Sequence, residues 1–420
     1  MRWILLVQVS MMGACSTSVG QFKDEVIAMA SVKIPDERLA FFCNHENFRS
    51  ASKEVDQLFQ YARWLQKNNQ LKRDLVIYSE IEALYRIAAE NGHVKANINL
   101  QNGAMRGHFK LRGHEYLRLS EQLIDARVAT GYLFVGYFLE QGGAGLKKDP
   151  EMALRYFRKA ADEGNAEAQY LVSEKLAPIN IAPAIAQQMR RCAAEQGHGK
   201  AAVALGVSLR RDGDYRGALE VFQMGIAGGY EQAAGYLDDG FRGPEPTKII
   251  HFLGQTKDLE RADRYHKIWR ILANYSYASP KVPEINEIVP LPPAKLPPWD
   301  GKLQWLEERL ANIPPEKPSE ALILRLAKEK VLDPATGKPM PGSPAFKKAS
   351  FPIMTCHSGE ACPESGYWKA MIASWEETIQ HFEEGQIMPK LLQQWRTPRI
   401  WPLSDKIGQS ENPVKWGLLG

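Results

Sequence analysis

A short motif of two small residues followed by a glycine recurs at a nearly constant interval, and this repetition restricts the possible folds most. The motif occurs at 88–92, 160–164, 193–197 and 225–229. The last three of its glycines are 33 and 32 residues apart, and the first lies 72 residues before the second, which is two units of ~36. The stretch 129–153 supplies the unit between them. Repeats of this length predict stacked supersecondary units.

Each unit has the pattern of two antiparallel helices. Leu154, Phe157 and Ala161 are spaced to form one apolar helix face. The glycine ends this helix because it adopts the left-handed conformation at little cost. The segment 165–171 then begins the partner helix. One such hairpin cannot bury its own apolar face, so we expect the units to stack into a solenoid.

The repeats resemble the Sel-like repeat, a relative of the tetratricopeptide repeat. The best-matching unit has its glycines, aromatic residues, aspartate and paired alanines at the family positions, namely Gly136, Tyr137, Gly143, Gly145, Asp149, Ala153, Tyr156, Phe157, Ala160, Ala161 and Gly164. The resemblance implies a mainly α fold, an α-α superhelix over 85–278, and a protein-binding function. Its last unit is Ile249–Ser276, with Tyr265, Ile268, Trp269 and Leu272 on one face. Helical periodicity before the array predicts a tether and an N-terminal helical cap over 16–84.

The N-terminus has the pattern of a targeting segment. Arg2 precedes a short apolar stretch, Trp3 to Met12, and residues 12–15 resemble a bacterial lipobox. The resemblance implies a signal peptide over 1–15, a lipid on Cys15, and retention at the outer membrane facing the periplasm. An ordinary cleaved signal and a buried N-terminal helix remain alternatives.

A proline-rich segment, 279–300, separates the array from the C-terminal part of the chain. Consecutive prolines favour an extended path. The composition is also that of a simple linker. Leu291, Leu296 and Trp299 are large and apolar, however, and they predict a strap that packs on a neighbouring surface.

Residues 301–420 are predicted to form a smaller α+β module. Ser319 is a candidate N-cap for a helix to Leu332, and a turn follows at 333–337. A short hairpin is expected near 351–355. A second helix is expected from Ser365 to Glu384, ending at Gly385, with a stripe made of Trp368, Met371, Ile372, Trp375, Ile379 and Phe382.

The last third of the chain also carries a resemblance. The segments at 291–305, 315–341, 359–370 and 381–390 resemble an uncharacterised C-terminal module of bacterial Sel-like repeat proteins. The order Cys362-Pro-x-Ser-Gly-x-Trp368 is similar to segments in immunity proteins of type VI secretion systems. The resemblance implies that the protein binds a toxin.

Cysteine spacing suggests one possible disulfide. Cys356 and Cys362 flank a short loop and are candidates for a disulfide in an oxidising compartment. Thiols are the main alternative, and a metal site lacks a second ligand cluster. Cys43 and Cys192 are interpreted as buried single thiols. No metal site and no cofactor are predicted.

The sequence contains none of the catalytic motifs we searched for: no Gly-x-Ser-x-Gly, no His-Glu-x-x-His, no phosphate-binding glycine loop and no dinucleotide fingerprint. A net charge of +4 over 420 residues argues against a dedicated nucleic-acid binder. We therefore expect a non-catalytic periplasmic binding protein whose only membrane attachment is the lipid anchor.

The favoured hypothesis is an immunity protein that occludes a type VI secretion toxin of the phospholipase or wall-hydrolase class. The alternatives are an envelope scaffold that binds a housekeeping protein, and an envelope enzyme with a novel C-terminal site.

Overall fold

The computed structural model describes residues 39–178, 181–247, 250–345, 355–363, 365–371, 378–397 and 406–418. Fifteen α-helices lie in these residues, and strands occur only near the C-terminus. The signal peptide predicted over 1–15, with Cys15, lies outside the described residues, as do most of the predicted tether and residues 351–354 of the predicted hairpin. The fold class is confirmed: the protein is mainly α, with an α-α superhelix and a small strand-containing region.

Helices α1 to α12 form the superhelix. Their bounds are α1 Lys53–Asn69, α2 Leu75–Glu90, α3 Val94–Met105, α4 Gly113–Asp125, α5 Thr130–Gln141, α6 Pro150–Asp162, α7 Ala166–Leu176, α8 Pro183–Glu195, α9 Gly199–Arg211, α10 Tyr215–Ala227, α11 Glu231–Phe241 and α12 Leu259–Asn274. Successive helices pack against each other along the array. Helices α1 and α2 occupy the region predicted as the N-terminal cap, and α12 begins ten residues later than predicted for the last unit.

The recurring glycines end helices as the sequence predicts. Gly164 has φ 103° and Gly197 has φ 83°, both in the left-handed region. The next residue then caps the following helix: the side chain of Asn165 accepts a hydrogen bond from the backbone N–H of Ala168, and that of His198 accepts one from Ala201. Each repeat therefore carries its own stop and start signals.

Alanines and aromatic residues fill the core of the array. Paired alanines such as Ala160 and Ala161 are completely buried, which allows the helices to approach closely. In the last unit Tyr265, Ile268 and Leu272 are fully buried as predicted, whereas Trp269 is partly exposed.

The proline-rich segment is a strap. Leu291, Leu296 and Trp299 pack against the apolar cluster formed by α10, α11 and α12, and the short helix α13, Ile285–Ile288, lies within the segment. The guanidinium of Arg261 on α12 donates a hydrogen bond 3.0 Å long to the carbonyl of Ala294. The strap therefore covers the end of the apolar core.

The segment after the strap returns to the beginning of the array. Helix α14, Gln304–Ala311, and helix α15, Glu320–Glu329, follow it. Leu326, Ala327 and Leu332 are buried in the same cluster as α1 and α2. Ser319 caps α15 and Asp333 holds the turn, both as predicted. The apolar face of α15 is therefore buried against the N-terminal helices, and not against the strands near the C-terminus with which it was expected to form one module. We call residues 301–345 the closing segment.

The strands lie in the last 66 residues. Their bounds are β1 Thr355–His357, β2 Gly366–Ala370, β3 Ile379–Phe382, β4 Leu391–Thr397, β5 Lys406–Asn412 and β6 Lys415–Leu418. One antiparallel sheet has the order β1-β6-β2-β3, and β4 pairs with β5. Cys356 lies opposite Trp416, and Trp368 lies opposite Gln380.

The helix predicted from Ser365 to Glu384 is wrong, because residues 366–370 and 379–382 are paired strands. Gly366, Trp368 and Ala370 are buried on one face, with the period of two that a strand requires. Ser365 is not a helix cap, since its hydroxyl bonds both the carboxylate and the backbone of the neighbouring turn at 383–384. Gly385, with φ 83°, lies in that turn. In the described part of the chain, no helix is both long and apolar enough to cross a lipid bilayer.

Candidate functional site

An open cleft lies where the closing segment meets helix α1. Its walls are α1, the turn after α12, and helix α14 with the residues that follow it, and its volume is about 440 Å³. The side chains that line it are mostly cationic, aromatic or amide groups, including Gln60, Arg63, Trp64, Lys67, Gln70, Trp305, Glu308 and Arg309. We call this the closure cleft.

Hydrogen bonds between distant parts of the chain hold the closure cleft in shape. The indole N–H of Trp64 donates to the carbonyl of Asn312 at 3.4 Å. The side-chain amides of Asn68 and Asn312 bond each other at 2.9 and 3.2 Å. Asn312 adopts the left-handed conformation with φ 44° and ends α14. The two walls are therefore fixed to each other although 244 residues separate these asparagines.

Aromatic rings position the guanidinium of Arg309. It lies 5.9 Å from the ring centre of Tyr275, 5.5 Å from that of Tyr277 and 5.6 Å from that of Trp305. Cation–π contacts of this kind hold the charged group without neutralising it. Its polar contact is with the amide oxygen of Gln70 at 3.4 Å.

The closure cleft concentrates positive charge. It contains three cationic side chains, Arg63, Lys67 and Arg309, and one carboxylate, Glu308, which accepts a hydrogen bond from Gln304. Arg63 bonds the amide oxygen of Gln66 at 2.8 Å. Burial, and then the charge of Arg309, lowers the pKa of Lys67 below its ordinary value. Arg63 and Arg309 therefore have neutral hydrogen-bonding neighbours, and Lys67 and Arg309 repel each other.

A second groove lies on the repeats, between α7, α8 and α9. Its volume is about 360 Å³, and Gln187, Arg190, Ser208 and Arg211 line it. Arg190 forms an ion pair with Glu174 at 2.6 Å. Because this arginine is already neutralised, the groove has less unpaired charge than the closure cleft.

The chain before α1, residues 39–52, crosses the turns of three successive repeats. We call it the N-terminal segment. The helix-start residue Ala129 provides no side-chain cap for α5, and the carboxylate of Glu46 accepts the hydrogen bond from Thr130 N–H instead, at 2.6 Å. Burial raises the pKa of Glu46, against the lowering effect of its hydrogen bonds.

A disulfide fixes the N-terminal segment to the array. Cys43 is bonded to Cys192 on α8, across 149 residues. The interpretation of these two cysteines as single thiols is therefore wrong. Cys43, His45 and Cys192 are the one group in the described residues with metal-ligand spacing. Both sulfur atoms are engaged in the disulfide and carry no thiolate charge, so of this group only His45 is an ordinary metal ligand.

The disulfide predicted between Cys356 and Cys362 is not formed. Both residues are buried thiols in the cluster around Trp368 and Trp416. The Cys356 thiol lies 3.5 Å from the carboxylate of Glu360 and 3.5 Å from the carbonyl of Ala361, so these hydrogen-bonding partners are in the loop that follows β1. Burial raises the pKa of this thiol, which disfavours the reactive thiolate.

Buried ionic groups in the N-terminal repeats form closed networks. Arg86 bonds Glu115 and Glu82, and Arg118 bonds Glu90. Burial works against the charge of Arg86, but the two carboxylates hold its pKa above the ordinary value. These groups bind each other, and we interpret them as structural.

Sequence reasoning missed the closure cleft. Arg63, Trp64 and Lys67 share one helix, and Trp305 and Arg309 share another, but nothing local indicates that the two helices meet. The alternation of cationic and aromatic residues on both helices was the available signal.

Comparison with known proteins identifies the repeats. Residues 81–100 and 129–165 match the Sel1 repeat family. Residues 233–340, which contain most of α11, α12, the strap and much of the closing segment, match a domain of unknown function, DUF6396. No curated protein matches the chain.

Solved structures with a similar arrangement come from several bacteria. Immunity proteins Pa5087 and PA5088 from Pseudomonas aeruginosa are 22% and 23% identical, with TM-scores of 0.47 and 0.48. Each comparison covers 60% of this chain and 95% or 94% of the other. A Sel1 repeat protein from Oxalobacter formigenes is 19% identical, with a TM-score of 0.35 over 60% of this chain and 95% of its own. This protein is thus a mainly α protein built on Sel1 repeats, as its sequence pattern predicted.

Proposed function

We propose that this protein is a non-catalytic immunity protein that binds a secreted toxin and occludes it. The observation that carries the proposal is the closure cleft, an open recess on a repeat array in which three cations and two tryptophan rings outnumber one carboxylate. Sel-like repeats are protein-binding modules by resemblance, and the sequence around Cys362 is similar to type VI immunity proteins. Aromatic residues and arginine are the groups that most often anchor a protein interface.

The structure favours a role in binding over a role in chemistry. A catalytic site needs an activated nucleophile or a base aimed at a substrate. The buried groups Arg86, Glu115 and Arg118 are engaged in ion pairs, and burial raises the pKa of the Cys356 thiol. The rigid walls of the closure cleft, in contrast, need no rearrangement to receive a partner.

The proposed location is the periplasm, with a lipid on Cys15 that anchors the protein to the outer membrane. The Cys43–Cys192 disulfide supports an oxidising compartment. An anchored inhibitor would meet a toxin that attacks lipid or cell wall at the place where that toxin acts. Labelling with a fatty-acid analogue should mark the full chain and fail to mark the Cys15→Ser variant; equal labelling of both would exclude this lipidation site.

A co-expression experiment tests the proposed function. Toxins of the phospholipase and wall-hydrolase classes, encoded beside the gene for this protein, would be directed to the periplasm of a host that lacks both genes. We expect growth to be restored when this protein is exported, and not when its first 15 residues are deleted. Absence of rescue, together with absence of a complex in calorimetry, would refute an immunity role.

The stoichiometry of inhibition separates occlusion from enzymatic inactivation. Titrating purified toxin with this protein should reduce toxin activity linearly and reach its minimum at one equivalent. Inhibition that continues to grow with time at far less than one equivalent would show that the protein modifies the toxin catalytically.

A further inference from the structure

Contacts within the fold fix the shape of the closure cleft. Two chain segments more than 240 residues apart are joined by the Trp64 and Asn68 bonds to Asn312, and three aromatic rings hold Arg309 in place. Pre-positioned cations lose little side-chain entropy when a ligand binds. Flexible surface lysines and arginines lack this property.

The charge of the closure cleft calls for an anionic occupant. Arg63, Lys67 and Arg309 line the recess, the hydrogen-bonding neighbours of the two arginines are neutral amides, and Glu308 is the one carboxylate in the lining. Like charges held close together repel, so the proximity of Lys67 and Arg309 carries an electrostatic cost. Carboxylates that enter the recess would remove this cost and gain charge-assisted hydrogen bonds.

The surroundings of the cleft favour a protein segment as the carrier of those carboxylates. Ile313, on the rim, is 80% exposed, and Leu310, beside Arg309, is 65% exposed. Exposed aliphatic groups next to arginine and tryptophan are typical of protein interfaces. A volume of about 440 Å³ admits a few side chains of a loop or extended segment, and a recess with walls on two sides does not present its cations to a flat membrane.

We infer that the closure cleft receives an acidic segment of the protein partner, with Arg63, Lys67 and Arg309 binding its carboxylates. This inference rests on the proposed function for the identity of the partner, and it names the chemistry through which that partner is recognised. The closing segment then has two roles, since it completes both the fold and the binding site.

A peptide titration tests the inference without the toxin. Fluorescein-labelled octaglutamate is titrated with the full chain at physiological ionic strength, and the double variant Arg63→Gln/Lys67→Gln is compared with Arg155→Gln/Arg216→Gln. The second pair removes the same charge from exposed helix surfaces of the repeats. We expect the cleft variant to bind at least ~10-fold more weakly and the control to stay within about twofold of wild type. Unchanged thermal unfolding midpoints establish that both variants fold.

Two other probes identify the source of the anion. Inorganic phosphate should displace octaglutamate only weakly, and vesicles of phosphatidylglycerol should bind wild type and the cleft variant equally. Tight binding of phosphate, or vesicle binding that the cleft variant loses while octaglutamate does not bind, would overturn the inference in favour of a small anion or a membrane surface.

The toxin experiment keeps this inference separate from the proposed function. If the toxin binds wild type and the cleft variant with equal affinity, the immunity role stands and this inference fails. If the toxin does not bind wild type, the immunity role fails, and the octaglutamate comparison alone decides whether the closure cleft recognises acidic peptides. Loss of toxin binding in the cleft variant and not in the control would support both.

Discussion

Helix caps occur at equivalent residues of three of the repeats, and two of these caps also bond an earlier helix. His93, Asn165 and His198 each begin a helix, and each side chain accepts the hydrogen bond of a backbone N–H three residues later. The two histidines also use their second ring nitrogen: His93 bonds Asp56 at 3.1 Å and His198 bonds Glu167 at 2.8 Å. A histidine at this position therefore caps one helix and pairs with a carboxylate on the helix two before it.

Replacing His198 separates these two roles. His198→Asn should keep the cap, because Asn165 performs it one repeat earlier, and should lose the bond to Glu167. His198→Ala should lose both and cost about 1 kcal/mol more in the free energy of unfolding. Chemical denaturation at neutral pH measures the difference; equal stabilities of the two variants would show that the cap contributes nothing.

The bond between His198 and Glu167 also predicts how the stability of the folded chain depends on pH. The hydrogen bond from His198 lowers the pKa of Glu167 in the folded chain below its ordinary value of 4.5. A lowered carboxyl pKa contributes stability that is present above pH 4.5 and is lost as the pH falls through the folded value. Between these two values, wild type should lose more stability than His198→Asn. Parallel curves of unfolding free energy against pH in that window would contradict the assignment.

At the scale of elements, extended segments cap helices and cover apolar surfaces that the helices leave exposed. The N-terminal segment supplies a cap to α5 through Glu46, and the strap covers α10, α11 and α12. The β-strands near the C-terminus enclose Trp368 and Trp416, both fully buried. The regular elements in these segments are short, a single turn of helix in the strap and brief strands near the C-terminus, so their conformations depend on the surfaces they contact.

The N-terminal segment should depend on its disulfide. Reducing Cys43–Cys192, or replacing both residues with serine, opens a loop of 149 residues and should lower the free energy of unfolding by about 3–5 kcal/mol. Thermal unfolding with and without a reductant measures this. The Cys356→Ser/Cys362→Ser variant is the control and should respond to reductant as wild type does; loss of the reductant effect in that variant would place the disulfide there.

The strand assignment of residues 366–370 can be tested with two substitutions in the same region. Trp368→Ala removes a fully buried ring and should cost about 3–5 kcal/mol in the stability of the strand-containing region. Met371→Ala removes a side chain that is 47% exposed and should change stability by less than about 1 kcal/mol. If this region were a helix, both residues would lie on one buried stripe. Similar losses of stability in the two variants would therefore support a helix and contradict the strand.

At the scale of the whole molecule, the closing segment joins the last repeat to the first. Arg325 on α15 forms an ion pair with Glu54 on α1 at 2.7 Å, and Leu326 is buried among α1 and α2. The ends of a solenoid normally expose an apolar face that needs a cap. Here the strap covers one end, and the closing segment continues from it to cover helices at the other.

Matched leucines on α15 test this closure. Leu326 is 3% exposed and Leu324 is 54% exposed. Leu326→Ala should cost about 2–5 kcal/mol, whereas Leu324→Ala should cost less than about 1 kcal/mol. Hydrogen exchange should become faster in α1 and α2 only in the first variant. An increase confined to α15 itself would show that the closing segment does not stabilise the N-terminal helices.

The sequence by itself determined the repeat array, because its signals are local. Gly164 and Asn165 stop one helix and start the next, and alanine pairs recur with the period of the unit. Ser319 and Asp333 were predictable for the same reason. The 365–384 region was misread because Trp368, Ile379 and Phe382 fit a helical spacing. The strand that contains Trp368, β2, pairs with β3 on one side and with the distant strand β6, near residue 416, on the other.

Only the tertiary structure decided the disulfide, the course of the closing segment and the closure cleft. Cys43 meets Cys192, and Arg63 and Lys67 meet Arg309, because the superhelix and the returning chain bring them together. These residues are 149 or more positions apart in the sequence. Whether they meet depends on the packing angles of all the helices between them, and no short stretch of sequence determines those angles.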